Sequence, residues 1–311
     1  MNILDIYKIK NDDYIVLLPR CDEDIKESVA GSFKNVFFMD YDLTEEHAKA
    51  LLEFINKRKN NLLLFDFDDF YRIVLPFVKK QTKVKWVYKN NLALLTDWCI
   101  RPTFSVIMEF YDRNMIETIG CLDKSTHLVL KNAGYRSKYI QLDVKRTSQK
   151  SKKHNSIGIL GKDYAPNHNI YNELSAVKLV DYDYVKILKE MPATKHFIDF
   201  FGIKEKEVEG LDEIMKDNFV NLYCNFASDN AGIVLKSLDM GVPCILGNTD
   251  LFDRFPKLKK YLVLQSDDDI GEIAEKINGV RENYEKIMTE YEKFRKKYSE
   301  ESRKSIEEFL R

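Results

Sequence analysis

Apolar positions along this chain fall into short runs separated by stretches with helical spacing. Residues 14–18, 36–39, 62–65, 84–88, 119–122 and 139–142 are such runs, and each predicts a strand. Between them, residues 44–58 place Ala48, Leu51, Leu52 and Ile55 on one helical face, and residues 102–116 open with Pro102, which a first helical turn tolerates. Strands alternating with helices imply right-handed crossovers and a parallel sheet. Residues 145–155 (KRTSQKSKKHN) are polar, basic and without period, and predict a linker. A second alternation follows, with a strand at 157–160, a helix at 169–179 and a strand at 185–188. Residues 270–311 are rich in Glu, Lys and Arg with sparse apolar positions, which predicts a surface helix crossing back over the first domain. The expected organisation is two α/β halves in tandem, 1–146 and 147–295, with 296–311 as the returning helix.

The densest pattern is residues 221–249, NLYCNFASDNAGIVLKSLDMGVPCILGNT. Leu222, Tyr223, Cys224 and Phe226 read as a buried strand that breaks at Ser228, Asp229 and Asn230, residues that favour turns and helix caps. Helical spacing then runs through Ile233, Val234, Leu238 and Met240 and stops at Gly241 and Pro243. Cys244, Ile245 and Leu246 form the next strand. A strand, a tight turn and a helix in succession bring backbone amides and the positive end of a helix dipole beside a parallel sheet, where a diphosphate can sit. The amides of Ala231, Gly232 and Ile233 are the candidate donors, with Gly232 allowing close approach of backbone to phosphate.

Composition narrows the alternatives. The chain has 311 residues with 49 Lys plus Arg against 50 Asp plus Glu, so no global field draws it to nucleic acid or anionic lipid, and any such partner must use a local patch. The basic linker is a solvated hinge or a local patch for an anionic membrane or substrate. No apolar stretch reaches the roughly 18 residues of a membrane span, and the N-terminus lacks a secretory layout, so a cytoplasmic protein is expected, with peripheral membrane contact left open. The five cysteines (Cys21, Cys99, Cys121, Cys224, Cys244) are scattered and mostly inside apolar runs, which suits reduced core thiols. The five histidines show no metal-ligand spacing, and no metal is expected.

Residues 119–144 (IGCLDKSTHLVLKNAGYRSKYIQLDV) resemble the last strand-helix-strand of the N-terminal domain in glycosyltransferases of the GT-B fold, close to family 4. SIGILGKDYAPNHNIYNELSA resembles the first strand, loop and helix of their C-terminal domain, residues 221–249 their donor-binding element, and YLVLQSDDDIGEIAEKI the segment beyond it. The resemblance covers about 160 residues in order. It implies two Rossmann-like domains facing across a cleft and metal-independent transfer of a sugar from a nucleotide-diphosphate donor to a glycan, lipid-linked or protein acceptor, in surface polysaccharide or glycoconjugate synthesis. A hexosyltransferase-type enzyme without a cofactor follows from it. Gly161 and Lys162, on the loop after the first strand of the second domain, become candidate diphosphate contacts together with Ser228, Asp229, Asn230, Ala231, Gly232 and Ile233. In a retaining enzyme of this type the leaving phosphate takes the acceptor proton, so no catalytic residue is assigned.

Three family positions differ. Ser228 and Lys236 stand where the paired glutamates E-x7-E are usual, and a lysine cannot accept hydrogen bonds from ribose hydroxyls. Lys89 and Asn90 replace a histidine, and Pro19, Arg20, Cys21 and Asp22 replace a glycine-rich loop. Either the donor is held unusually, or the chain is a non-catalytic transferase-like subunit that binds a partner transferase or a glycan. Two acidic motifs compete. Asp40, Asp42 and Thr44 follow the DxDxT order of haloacid-dehalogenase-like phosphatases, and Asp66, Asp68 and Asp69 resemble a metal-binding DxD of the other large transferase fold. Helix starts explain both sets more simply. Trp98, Arg101 and Phe104 could meet an acceptor, and plain core packing suits them equally well.

Overall fold

Consecutive residues of the predicted strands are apolar, so each strand must be covered on both faces, which calls for helices on either side of a sheet. The structure, a computed structural model describing residues 13–19, 23–39, 43–58, 60–96, 100–147, 154–161, 168–189, 191–226 and 231–311, has this arrangement twice. The first unit extends to Lys145 and is completed by Ser299–Arg311. It contains β1 (Tyr14–Pro19), α1 (Glu23–Ser32), β2 (Val36–Met39), α2 (Glu45–Arg58), β3 (Asn61–Phe65), α3 (Asp69–Val74), β4 (Val84–Tyr88), α4 (Ile100–Asp112), β5 (Thr118–Cys121), α5 (Lys124–Asn132) and β6 (Ser137–Tyr139). The strands pair in parallel in the order β2-β1-β3-β4-β5-β6. Ile15, Leu17, Leu62, Leu64 and Trp86 face one core with α2, α3 and α4, while Val16, Leu18, Leu63, Phe65 and Val87 face another with Val29 and Phe309. Period-two alternation thus feeds both cores at once.

The second unit, Arg146–Tyr298, contains β7 (Ser156–Ile159), α6 (Ile170–Val177), β8 (Tyr184–Leu188), α7 (Pro192–Phe201), β9 (Glu205–Val208), α8 (Leu211–Met215), β10 (Val220–Tyr223), α9 (Ala231–Asp239), β11 (Cys244–Leu246), α10 (Pro256–Leu262) and α11 (Ile270–Leu310). Its parallel order is β11-β10-β7-β8-β9. The chain starts in the middle, winds to one edge, then returns to wind to the other, so the direction reverses between β7 and β10. Under the sheet, Asn221 Nδ2 donates to Ser237 Oγ (2.8 Å) and Asn218 Nδ2 to Asn221 Oδ1 (2.7 Å), while Ser156 Oγ donates to Asn218 Oδ1 (2.8 Å). Gly158 makes room for this network, since a Cβ there would lie 2.2 Å from Asn221 Oδ1. Helix α11 is interrupted at Asn283 (φ −119°), and its last residues return to the first unit, where Phe309 is fully buried.

Differences from the sequence reading have local causes. The expected strand at 139–142 ends at Tyr139, because the amide of Gln141 donates to Ser305 Oγ (3.1 Å) and its carbonyl accepts from Ser302 Oγ (2.6 Å). Hydroxyls of the returning helix take the place of a ladder partner. The helix expected to reach residue 116 stops at Asp112, where Asn114 adopts a left-handed φ of 57° and the amide of Met115 bonds back to Phe110 O (3.0 Å). Strand β9, sequence EKEV, carries no apolar alternation. It is an edge strand whose Glu207 is paired with Lys195. No helix among the described residues is long and apolar enough to cross a membrane.

Candidate functional site

At the point where the winding of the second sheet reverses, β7 and β10 lie side by side, and open α/β sheets bind ligands at such a point. Gly161, two residues beyond β7, is buried, and a Cβ on it would approach Ile170 Cγ1 to 2.8 Å. Its lack of a side chain lets the main chain at this residue lie directly against the start of α6. His168 follows, with its ring 5.9 Å from that of Tyr223 at the end of β10. Buried Asn169 donates from Nδ2 to Asp267 O, and Asp267 Oδ1 accepts the amide of Asn248 beyond β11. Burial raises the Asp267 carboxyl, and that hydrogen bond holds it back. Gly247 completes the corner: a Cβ there would sit 2.2 Å from the carbonyl oxygen of Asn225.

One acid ties the two loops together. Glu173 on α6 is fully buried, and its Oε1 accepts the amide of Cys224 at 2.6 Å. Burial pushes its carboxyl up to about 7, against the pull of the Cys224 hydrogen bond. The thiols of Cys224 and Cys244 are pushed up by burial and by Glu173, and with Cys121 they are free and buried. Glu173 Oε2 and Asn225 Oδ1 are buried without a partner among the described residues, a costly condition.

Of the residues singled out from sequence, Gly161 belongs to this corner and Ala231, Gly232 and Ile233 open α9, the helix after β10, while Lys162, Ser228, Asp229 and Asn230 lie outside the described residues. Helix α9 starts at Ala231 after β10; Ala231 and Gly232 are half-buried, and Ile233 anchors the first turn in the core. Lys236 lies on the same helix with its ammonium 2.8 Å from Asp212 Oδ1 on α8. The sequence reading missed Glu173, Asn225, Gly247 and Asp267. Glu173 had a legible signal, an acid on the apolar face formed by Ile170, Leu174 and Val177.

Asp66 and Asp68 of the first unit serve structure. Asp68 Oδ1 caps α3 through the amide of Phe70 (2.8 Å), and Asp66, held at φ 48°, pairs with Lys89 at 2.6 Å. Thr44 precedes α2 with its hydroxyl 2.8 Å from His47 Nδ1, whereas Asp40 and Asp42 lie outside the described residues. Among the described residues no His, Cys, Asp or Glu cluster has metal-ligand geometry. Phe104 packs on Tyr88 with ring centroids 5.4 Å apart, Arg101 Nε donates to Leu95 O (3.3 Å), and Trp98 is outside the described residues.

No protein-family model matches the chain, and no curated protein matches it. Solved structures do. Anabaena Alr3699/HepE in complex with UDP-glucose aligns over 96% of this chain and 99% of its own at 10% identity, with a TM-score of 0.71. The chain has the GT-B fold. A glycosyltransferase from Rickettsia africae ESF-5 aligns over 96% of both chains at 10% identity with a TM-score of 0.62. A mutant of S. aureus TarM, in complex with fondaparinux, alpha-GlcNAc-glycerol and UDP, aligns over 85% of this chain at 13% identity with a TM-score of 0.65. This GT-B chain spans 58% of the TarM chain's length. At such identities the shared property is the fold, and residue roles must come from this chain's own corner.

Proposed function

We propose that the chain is a glycosyltransferase that binds a nucleotide-diphosphate sugar at the reversal point of its second sheet and transfers the sugar to a glycan, lipid-linked or protein acceptor. The observation behind this reading is the coincidence of that corner with a fold shared, nearly end to end, with a protein seen holding UDP-glucose. The diphosphate would accept hydrogen bonds from the amides of Ala231 and Gly232, aided by the dipole of α9. Gly161 would let the backbone of the β7 loop close on the phosphates, with Lys162, Ser228, Asp229 and Asn230 completing the ring of contacts. Stabilising the departing nucleoside diphosphate with fixed dipoles needs no metal in this scheme.

Calorimetry with UDP, GDP, CMP and ADP, in EDTA, tests it. At least one nucleotide should bind more tightly than about 1 mM, and Gly232→Val should abolish that binding while the far-UV spectrum is kept, because a branched side chain would project into the phosphate position. Silence with all four nucleotides would sink the proposal. A second reading, a transferase-like subunit without its own turnover, draws support from Lys236. The ammonium standing where the resemblance implies a ribose-binding glutamate is already engaged with Asp212. Nucleotide binding without release of UDP from any UDP-sugar would favour that reading.

A further inference from the structure

The chain as a whole is electrically balanced, yet two of its segments are not. Residues 54–65 and 70–83 hold Lys57, Arg58, Lys59, Arg72, Lys79, Lys80 and Lys83 without a single Asp or Glu. The fold sets these segments side by side. Asn56 Nδ2 donates to Phe77 O (3.3 Å), the amide of Lys79 donates to Asn56 Oδ1 (3.1 Å), and the amide of Lys83 donates to Asn61 Oδ1 (3.0 Å). Together they form the turns entering β3 and β4, at the end of the first sheet opposite the strands' C-terminal ends. Lys57, Lys79, Lys80 and Lys83 are all exposed there, and among the described residues none forms an ion pair. In their midst Phe77 is 67% exposed, in a three-residue turn that follows α3, and Ile73 on α3 is 39% exposed. The Lys79 ammonium donates to Asn56 O (3.4 Å), and among the described residues no acid neutralises the exposed lysines beside this phenylalanine. The patch suits a surface that offers negative headgroups around an apolar layer.

We propose that this face of the first unit docks on an anionic phospholipid bilayer, with Phe77 entering the headgroup boundary and Lys57, Lys79, Lys80 and Lys83 meeting lipid phosphates. Charge complementarity selects this occupant: one aromatic anchor is too little apolar area for a stable protein interface, whereas one anchor plus several cations is the two-signal arrangement that holds a peripheral protein. The assignment is independent of the nucleotide reading, since the patch and the reversal point of the second sheet share no residue.

Sedimentation of the full chain with vesicles tests it. Phosphatidylcholine vesicles containing about a quarter phosphatidylglycerol should carry down the wild type at low salt, pure phosphatidylcholine vesicles should not, and raising the salt should release it. The triple reversal K79E/K80E/K83E should weaken binding more than about tenfold, at roughly a kilocalorie per charge near the surface. Phe77→Ser should weaken it several-fold and leave the salt dependence intact. These positions are exposed, so both variants should keep the wild-type thermal transition. Equal partition to the two vesicle types, or undiminished binding by the triple variant, would overturn the proposal, as would a wild type that ignores anionic vesicles and captures only protein or nucleic acid.

Discussion

Glu173 Oε1 accepts the main-chain amide of Cys224 at 2.6 Å, joining the helix that follows the first strand of the second sheet to the end of the strand that precedes α9. The carboxyl is fully buried and titrates near 7, above the ordinary 4.5. The folded state therefore binds more protons than the unfolded state between those two values, and stability falls as pH rises through that window, then levels off above about 7. The full effect is on the order of 3 kcal/mol at 1.36 kcal/mol per pH unit. Glu173→Gln mimics the neutral carboxyl and can still accept from Cys224. Its stability relative to wild type should rise by a large part of that amount between pH 5 and pH 7.5 in urea titrations. A constant difference across the range would mean that Glu173 does not titrate there.

Two glycines of the same corner should respond differently to alanine. At Gly247 the new methyl meets the carbonyl oxygen of Asn225 at 2.2 Å, and that backbone belongs to a buried strand end that cannot move aside. At Gly161 the first contact is Ile170 Cγ1 at 2.8 Å, a buried side-chain atom that has less far to give than the main chain at Gly247. Gly247→Ala should cost about 3 kcal/mol or more and Gly161→Ala about 1 kcal/mol. Denaturant midpoints with unchanged m-values would measure both, and a reversed order would refute the packing described for this corner.

Much of the fold was legible from apolar periodicity, because its strands are buried on both faces and read as continuous runs, as at Leu62, Leu63, Leu64 and Phe65. What escaped was governed by partners distant in sequence. Tyr139 ends β6 because Ser302 and Ser305 bond Gln141 just beyond it, and nothing local to residues 139–142 signals those serines. Strand β9 needs no apolar alternation because it lies at an edge, and its signal is a charge match with Lys195 on the preceding helix. Beside the site, the start of α9 at Ala231 was visible as a change from strand to helical spacing. Asp267 was not, because its role arises from the amide of Asn248, brought beside it by the fold. Glu173 was visible as an acid on an apolar face, and only its contact with Cys224 gives that anomaly a meaning.

A second buried acid anchors the long C-terminal helix. The Asp239 side chain is 1% exposed, accepts from Tyr291 Oη at 2.7 Å and faces Arg295 Nε at 3.3 Å, with Arg146 Nε at 3.8 Å. Burial raises its carboxyl, while Tyr291 and the two guanidiniums oppose that. Asp239→Ala should cost about 3 to 5 kcal/mol, because it removes one partner of a buried charge pair and leaves the other in place. Replacing Asp239 and Arg295 together by apolar residues should cost less than the sum of the single changes. Additive single and double variants in thermal unfolding would show that the pair is not coupled.

Lys236 tests whether the donor chemistry implied by the resemblance applies to this chain. Its ammonium lies 2.8 Å from Asp212, whose side chain is 63% exposed, so the pair is partly screened and contributes at most about 1 kcal/mol. The side chain leans along α9 toward α8, whereas the proposed phosphate contacts are five and four residues earlier, at Ala231 and Gly232. Lys236→Glu recreates the acid implied by the resemblance and sets two carboxylates against each other. The expected outcome is a loss of about 1 kcal/mol in stability, with UDP affinity within about twofold of wild type. A marked gain in affinity would instead mean that a carboxylate at this position reaches the ribose hydroxyls. The family's contact would then be one substitution away, and the lysine, not the fold, would limit donor binding.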